Sequence, residues 1–362
     1  MTTPRAVLPG ADVAGIDVVR GRLALAHPFA SAHGVVSAKD VLLVRAVGAD
    51  GTEGWGECAA PAEPTYTAEW VDGAEAVLRR FLVPAALARR PAGVVGHPMA
   101  SAALEAALLH LRLASAGTTL PAWAGAVRQR VPCGVAVGIA ASIDDLLAEV
   151  AGHVASGYRR VKLKVRPGWD TDAVRAVRST WPQLPVGVDA NGAYDRRDLD
   201  GVLAELDALG LVEIEQPLPA DDLAGLAEAV GRLRTPVCLD ESVASRADLE
   251  SALALGAVDH VNLKPGRVGG VGEALRVHDL ALDRGVPLWV GGMIDTGVGK
   301  AVNVALAALP GATLPGDLPA SRRWFVDDLT DPWEVAADGT MAVQPLGEVR
   351  LPPASFKNHS DG

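Results

Sequence analysis

LPVGVDANGAYDRRDLDGVLAELDALGLVEIEQP, residues 184–217, holds one full beat of this chain. LPVGVDA and LVEIEQP are short β-type runs. RDLDGVLAELDALG, between them, carries apolar residues at helical spacing and stops at Gly210. The beat recurs on both sides. VPCGVAVG and RRVKLKV precede it, and TPVCLDE, DHVNLKP, VPLWVGG and GATLPGD follow. Helical stretches such as DTDAVRAVRSTW and SRADLESALALG lie between these runs, with stops at Gly157, Gly256 and Gly285 and a capping-box-like Ser245/Asp248 pair. Eight beats of about 25 residues predict an α/β chain whose parallel sheet closes into a TIM-type barrel. An open doubly wound sheet is the alternative.

The first part of the chain reads differently. VRGRLALAHPF and KDVLLVRAVGADGTEGWGEC have the pattern of antiparallel strands, and WVDGAEAVLRRFLVPAALARR and PMASAALEAALLHLRLASAG that of helices. This predicts an α+β capping domain over residues 1–126 and a barrel over 127–320. Residues 321–362 lack the barrel rhythm and are expected to return to the cap.

With 33 basic against 44 acidic residues the net charge is −11, which argues against a nucleic-acid partner. Cys58, Cys133 and Cys238 are odd in number and widely spaced, so no disulfide framework is expected and a reducing cytoplasm is the default. No signal-type leader and no apolar run of about 18 residues is present, so no membrane association is expected. The eight histidines show no pairing at zinc-ligand spacing.

Five ionisable residues end successive predicted strands: Lys164, Asp189, Glu215, Asp240 and Lys264, at intervals of 25, 26, 25 and 24 residues. That is the period of the fold, so a barrel gathers all five at one mouth. Three carboxylates there supply hard oxygen ligands for Mg²⁺, with Mn²⁺ as a substitute. A metal on a substrate carboxylate stabilises the enediolate left when the α-proton departs, and a flanking lysine serves as base. Lys162 lies two residues before Lys164, on the same strand face, and supplies a cation that lowers the base's pKa. Asn191 is expected to orient a ligand or a water. Gly291, Gly292 and Met293 leave room for a substrate ring, and His33 lies in a loop placed to meet substrate.

KLKV (162–165), VDANGAY (188–194), EIEQPL (213–218), LDES (239–242) and NLKPGRVGG (262–270) resemble the enolase superfamily in its muconate-lactonizing-enzyme-like subgroup. The resemblance covers nearly the whole chain. It implies a modified (β/α)7β barrel capped by both termini, with Lys164 and Lys264 as the acid/base pair and Mg²⁺ on Asp189, Glu215 and Asp240. GWGECAAPAEPTYTAEWVDGAEAVLRRFLVPA (54–85), VGGMIDTGVGKAVN (290–303) and LPGATLPGD (309–317) are more narrowly similar to o-succinylbenzoate synthases related to N-succinylamino acid racemases. In that group segments matching 27–34 and 57–67 close over the substrate, and Arg267 matches a position associated with racemase-type members. The group usually reads GGM-[LI]-E-[ST]-G, whereas Asp295 stands here in place of Glu.

The resemblance implies dehydration of a small-molecule carboxylate bearing a succinyl group, in menaquinone synthesis. Racemisation by the same two lysines is the alternative. Dipeptide epimerase and muconate cycloisomerase fit less well, and a non-enzymatic barrel would have lost a ligand or a lysine. Exposed barrel helices allow self-association into a homo-oligomer.

Overall fold

The computed structural model describes residues 5–8, 10–31, 34–352 and 355–356. The chain opens with an antiparallel sheet of β1 (Val13–Ser31), β2 (Gly34–Gly48) and β3 (Glu53–Cys58). Helix α1 (Pro98–Ser115) lies across it. The approach is close because β3 carries glycine at its contact points. A Cβ on Gly56 would sit 2.0 Å from the Ala103 carbonyl oxygen, and one on Gly54 2.1 Å from that of Ala107.

Eight parallel strands follow: β4 (Arg130–Val137), β5 (Arg160–Lys164), β6 (Val186–Asp189), β7 (Ile214–Glu215), β8 (Val237–Leu239), β9 (His260–Leu263), β10 (Leu288–Val290) and β11 (Gly316–Asp317). They pair in chain order from β4 to β10, with β11 on the other side of β4. A parallel bridge between Leu288 and Ala312, with the Thr313 N–H donating to the Leu288 carbonyl at 3.1 Å, closes the ring. Helices α2 (Ile143–Ala155), α3 (Thr171–Thr180), α4 (Val202–Asp207), α5 (Leu223–Arg232), α6 (Arg246–Leu255), α7 (Val271–Arg284) and α8 (Gly297–Ala307) each follow one strand, and among the described residues no α-helix follows β11. This is the (β/α)7β barrel expected from the sequence. The Ser245 hydroxyl accepts the Asp248 N–H at 3.2 Å, capping α6, and Asp248 reaches back to the Ala244 N–H.

Strand alternation decides what the lumen contains. On β5, Val161 and Leu163 join the core shared with the helices, which turns Arg160, Lys162 and Lys164 inward. The same rule sends Val188, Ile214, Leu239 and Leu263 outward and leaves Asp189, Glu215, Asp240 and Lys264 facing the lumen or its mouth. Each buried Val or Leu is worth about 1.5–3 kcal/mol. A one-residue slip would exchange that burial for buried lysines, so the register is strongly specified.

The segment after residue 320 serves both bodies. Strand β12 (Thr340–Ala342) pairs antiparallel with β4, and Trp333, Val335 and Met341 join the barrel core. Trp324, Phe325, Leu329 and Phe356 pack instead with Leu23, Leu25, Val41 and Leu43 of the first sheet. Among the described residues, no helix is long and apolar enough to cross a membrane.

Candidate active site

The barrel mouth and the cap enclose a cavity of about 230 Å³ lined by Lys162, Lys164, Lys264 and Asn191, and on the cap side by Tyr66 and Phe29. Beneath it stand Asp189, Glu215 and Asp240, all fully buried, with ligand-competent oxygens within 4.8 Å of one another. The five strand-end residues singled out by their spacing therefore meet in space.

Each carboxylate is met by a lysine. Lys164 Nζ donates to Asp189 Oδ2 at 2.7 Å and to Asn191 Oδ1 at 2.7 Å. Lys264 Nζ donates to Asp240 Oδ2 at 2.8 Å. Lys162 Nζ is shared by Glu215 Oε2 at 2.6 Å, Asp317 Oδ2 at 2.6 Å and Asp189 Oδ2 at 3.3 Å. Burial by itself would lower the pKa of Lys162, but Asp317, Glu215 and Asp189 hold it above its ordinary value. Burial likewise opposes the charge on Lys264, yet Tyr66 and the carboxylates around it raise its pKa. Burial pushes Asp189 up, and Lys164 and Lys162 more than reverse this, so it stays ionised. For Glu215, burial and the neighbouring Asp189 win over Lys162, and its pKa is raised.

The donor set fits a divalent cation. Three oxygen ligands from adjacent strands face a common point. Three buried polar atoms around them, Asn262 Oδ1, Glu241 Oε2 and Asp317 Oδ1, have no hydrogen-bond partner among the described residues. Such atoms are costly to bury unless an ion or its waters engage them. Backbone strain gathers here as well: Asn191, Gln216 and Ile294, all on loops at the mouth, have φ of 46°, 37° and 59°.

Residues 145–347 match the family described as enolase C-terminal domain-like. The chain belongs to the enolase superfamily. This superfamily enzyme is 48% identical over 332 residues to an N-succinylamino acid racemase of an Amycolatopsis species, spanning 89% of this chain and 90% of that one. It is 42% identical to an o-succinylbenzoate synthase of Geobacillus stearothermophilus, over 92% and 89% of the two chains. Among solved structures it resembles a probable mandelate racemase from Alicyclobacillus acidocaldarius, with TM-score 0.84 and 41% identity, covering 92% of this chain and 93% of that one.

The remaining expected residues of this superfamily member separate. Gly292, Met293 and Asp295 line the cavity. A Cβ on Gly291 would meet Asn262 Oδ1 at 2.3 Å and Lys264 Cε at 3.0 Å, so glycine there makes room for the lysine as well as for a ligand. Asp295 is tied to its own turn: its Oδ2 accepts the Met293 N–H at 2.9 Å and the Asn303 amide at 2.8 Å. Arg267 does not face the cavity. It is fully buried behind Asp240, to which it donates, with further bonds to the Asn262 and Val243 carbonyls at 2.6 and 3.0 Å. Asn191 bridges Lys164 to Glu241 Oε1, 2.8 Å from its amide nitrogen. His33 lies outside the described residues.

Several participants escaped the sequence reading. Asn262 donates to Glu215 Oε1 at 2.7 Å. Below the carboxylates, Glu213 accepts from Arg160, from His260 Nδ1 at 3.2 Å and from Trp289 Nε1 at 3.1 Å. The Trp289 ring lies 4.4 Å from the Arg160 guanidinium and 4.7 Å from Lys162 Nζ. Alternation could have found this layer, since Arg160 and Glu213 precede Lys162 and Glu215 by two residues. Buried Lys39 donates to Glu57 at 2.5 Å and to the strained Ile294 carbonyl at 2.8 Å, fastening cap to barrel.

Proposed function

We propose that this enzyme is a Mg²⁺-dependent dehydratase of the o-succinylbenzoate synthase type, acting in menaquinone synthesis in the cytoplasm. The observation that carries the reading is the placement of Lys164 and Lys264 at opposite ends of one row of three carboxylates beneath a single cavity.

The substrate class is a cyclohexadiene carboxylate bearing a succinyl group and a β-hydroxyl. A divalent cation on Asp189, Glu215 and Asp240 would supply positive charge against the substrate carboxylate as the α-proton leaves, and would replace the lysines as counter-ions. Lys164 Nζ accepts the α-proton, and the C–H electrons move toward the carboxylate. They return to form the ring double bond as the β-C–O bond breaks. Lys164 delivers its proton to the departing hydroxide, and water leaves. The Lys264 ammonium faces the carbon from the other side and steadies the developing charge. Asn191 holds Lys164 in place, and the hairpin bearing Phe29 excludes water.

A second reading rests on the same opposition of lysines. With an N-succinylamino acid, one lysine removes the α-proton and the other returns a proton to the opposite face, which is racemisation. The N-succinylamino acid racemase relative supports it. The deciding experiment measures synthase turnover and enantiomer interconversion in parallel, with Mg²⁺ and after chelation. Racemisation without aromatic product would replace the first reading by the second, and the absence of both would sink both.

A further inference from the structure

The two lysines are held in different ways. Among the described residues, the side chains that hold Lys164 are Asp189 and Asn191, both of the barrel. Lys264 has a partner from the cap: its Nζ donates to the Tyr66 hydroxyl at 3.1 Å and lies 4.6 Å from the Tyr66 ring centre. That hydroxyl also donates to Asp240 Oδ1 at 3.0 Å and accepts from Arg267 Nη1 at 3.1 Å. One phenol thus touches a lysine, a carboxylate of the cluster and the arginine behind it.

The loop that delivers Tyr66 is anchored on both sides of it. The Glu69 carboxylate accepts the Met99 and Ala100 N–H groups at 2.8 and 2.9 Å, where α1 begins. The Pro61 carbonyl accepts the Val71 N–H at 2.8 Å. Residues 62–65, between these anchors, are exposed. A side chain thrown from such a loop into a barrel mouth is positioned by the cap and reports its placement to whatever it touches.

We propose that Tyr66 is a positioning residue through which the cap sets the Lys264 ammonium, and with it one face of the substrate carbon, while Lys164, among the described residues, is set by the barrel. The phenol hydroxyl fixes where Lys264 Nζ stands, and the ring face lies against the same ammonium. The inference rests on the two-lysine reading above and adds to it that the two faces are controlled separately.

The test uses the full-length protein with Mg²⁺ and both enantiomers of N-succinylphenylalanine in D₂O, following loss of the α-proton signal by NMR. Tyr66→Phe keeps the ring and removes the hydroxyl. Exchange of the enantiomer whose α-proton faces Lys264 falls by about ten-fold or more, while that of the other stays within about two-fold. Assignment of faces comes from Lys164→Ala and Lys264→Ala, each of which abolishes exchange of one enantiomer. An equal loss for both enantiomers, or no loss for either, overturns the proposal.

A wild-type protein that exchanges neither enantiomer would defeat the two-lysine racemisation reading. Tyr66 is then judged by synthase turnover in a double-mutant cycle. Removing the hydroxyl must cost turnover in wild type and nothing further in Lys264→Ala, and additive losses reject the proposal.

Discussion

Lys162 and Lys164 share one oxygen: Asp189 Oδ2 lies 3.3 Å from the first ammonium and 2.7 Å from the second. Two cations on one buried carboxylate oxygen balance the charge of a cluster that would otherwise repel itself. A divalent ion on the same carboxylates competes with both.

It follows that the fold does not require the ion. Chelation should abolish turnover, and Mg²⁺ should restore it. The far-UV dichroism of the chelated protein should be unchanged, with a melting temperature lower by only a few degrees, about what mass-action linkage supplies. Unfolding on chelation would contradict the lysine-for-metal substitution.

Lys164→Ala removes the proposed base but leaves Asp189 with Lys162. Synthase turnover should drop by about 10³-fold, within the usual range for a lost general base, with little change in stability. A decrease of only a few-fold would reassign the base.

Gly291→Ala is a conservative change with a disproportionate expected effect. Its Cβ would collide with Asn262 Oδ1 and crowd Lys264 Cε. We expect kcat to fall more than stability, because the side chains that must yield, the Asn262 amide and then the Lys264 stem, belong to the site; overpacking costs about 1–3 kcal/mol. Steady-state kinetics alongside urea unfolding separates the two.

The Glu57 carboxylate holds Lys39 from β2 and also accepts the Thr296 hydroxyl at 2.6 Å and the Gly299 N–H at 2.9 Å, at the start of α8. Glu57→Ala strands a buried lysine and uncaps a helix. The expected loss of stability is about 3–5 kcal/mol by denaturant unfolding.

Glu105 on α1 accepts the Gly272 N–H at 3.0 Å, and its Oε2 is buried without a partner. Burial raises its pKa above the ordinary 4.5, against the lowering effect of the Gly272 N–H. A carboxyl with a raised folded value keeps its proton longer in the folded state. The stability this brings is complete below 4.5 and is lost as pH climbs through the folded value. Glu105→Gln has no charge to bury, so its stability relative to wild type should grow as pH rises from 4.5 through the folded value and then level off. Unfolding curves across a pH series check this, and a pH-independent difference would contradict it.

The barrel was legible because its signal is periodic: each beat repeats one apolar pattern, and five successive strands end on one ionisable residue each. Asp189, Glu215, Asp240 and the two mouth lysines could be named because strand period and site geometry are the same regularity. Tyr66 could not. Its partners Asp240, Lys264 and Arg267 stand 174, 198 and 201 residues away, and nothing local in PTYTAE announces them. Arg267 illustrates the opposite limit. It was visible through the resemblance as a position associated with racemase-type members, but its place behind Asp240 depends on the short helical turn Pro265–Val268. Asp317 stood out in the sequence only as the end of LPGATLPGD, because its tie to Lys162 depends on β11 closing the ring beside β4.

The first sheet is finished by Ser355 and Phe356, far along the chain from its own strands. Gly21 bridges to Phe356, the Arg22 N–H donates to the Ser355 carbonyl at 3.0 Å, and the Phe356 ring lies where any side chain on Gly21 would sit. During synthesis, therefore, the strands made first wait with an uncovered apolar face until about 300 further residues have left the ribosome, at about 5–20 residues per second. A polypeptide that stopped short of Ser355 and Phe356 would lose no mouth residue and still leave Gly21 without the ring that covers it, so two residues far from the site decide whether this part of the sheet is finished.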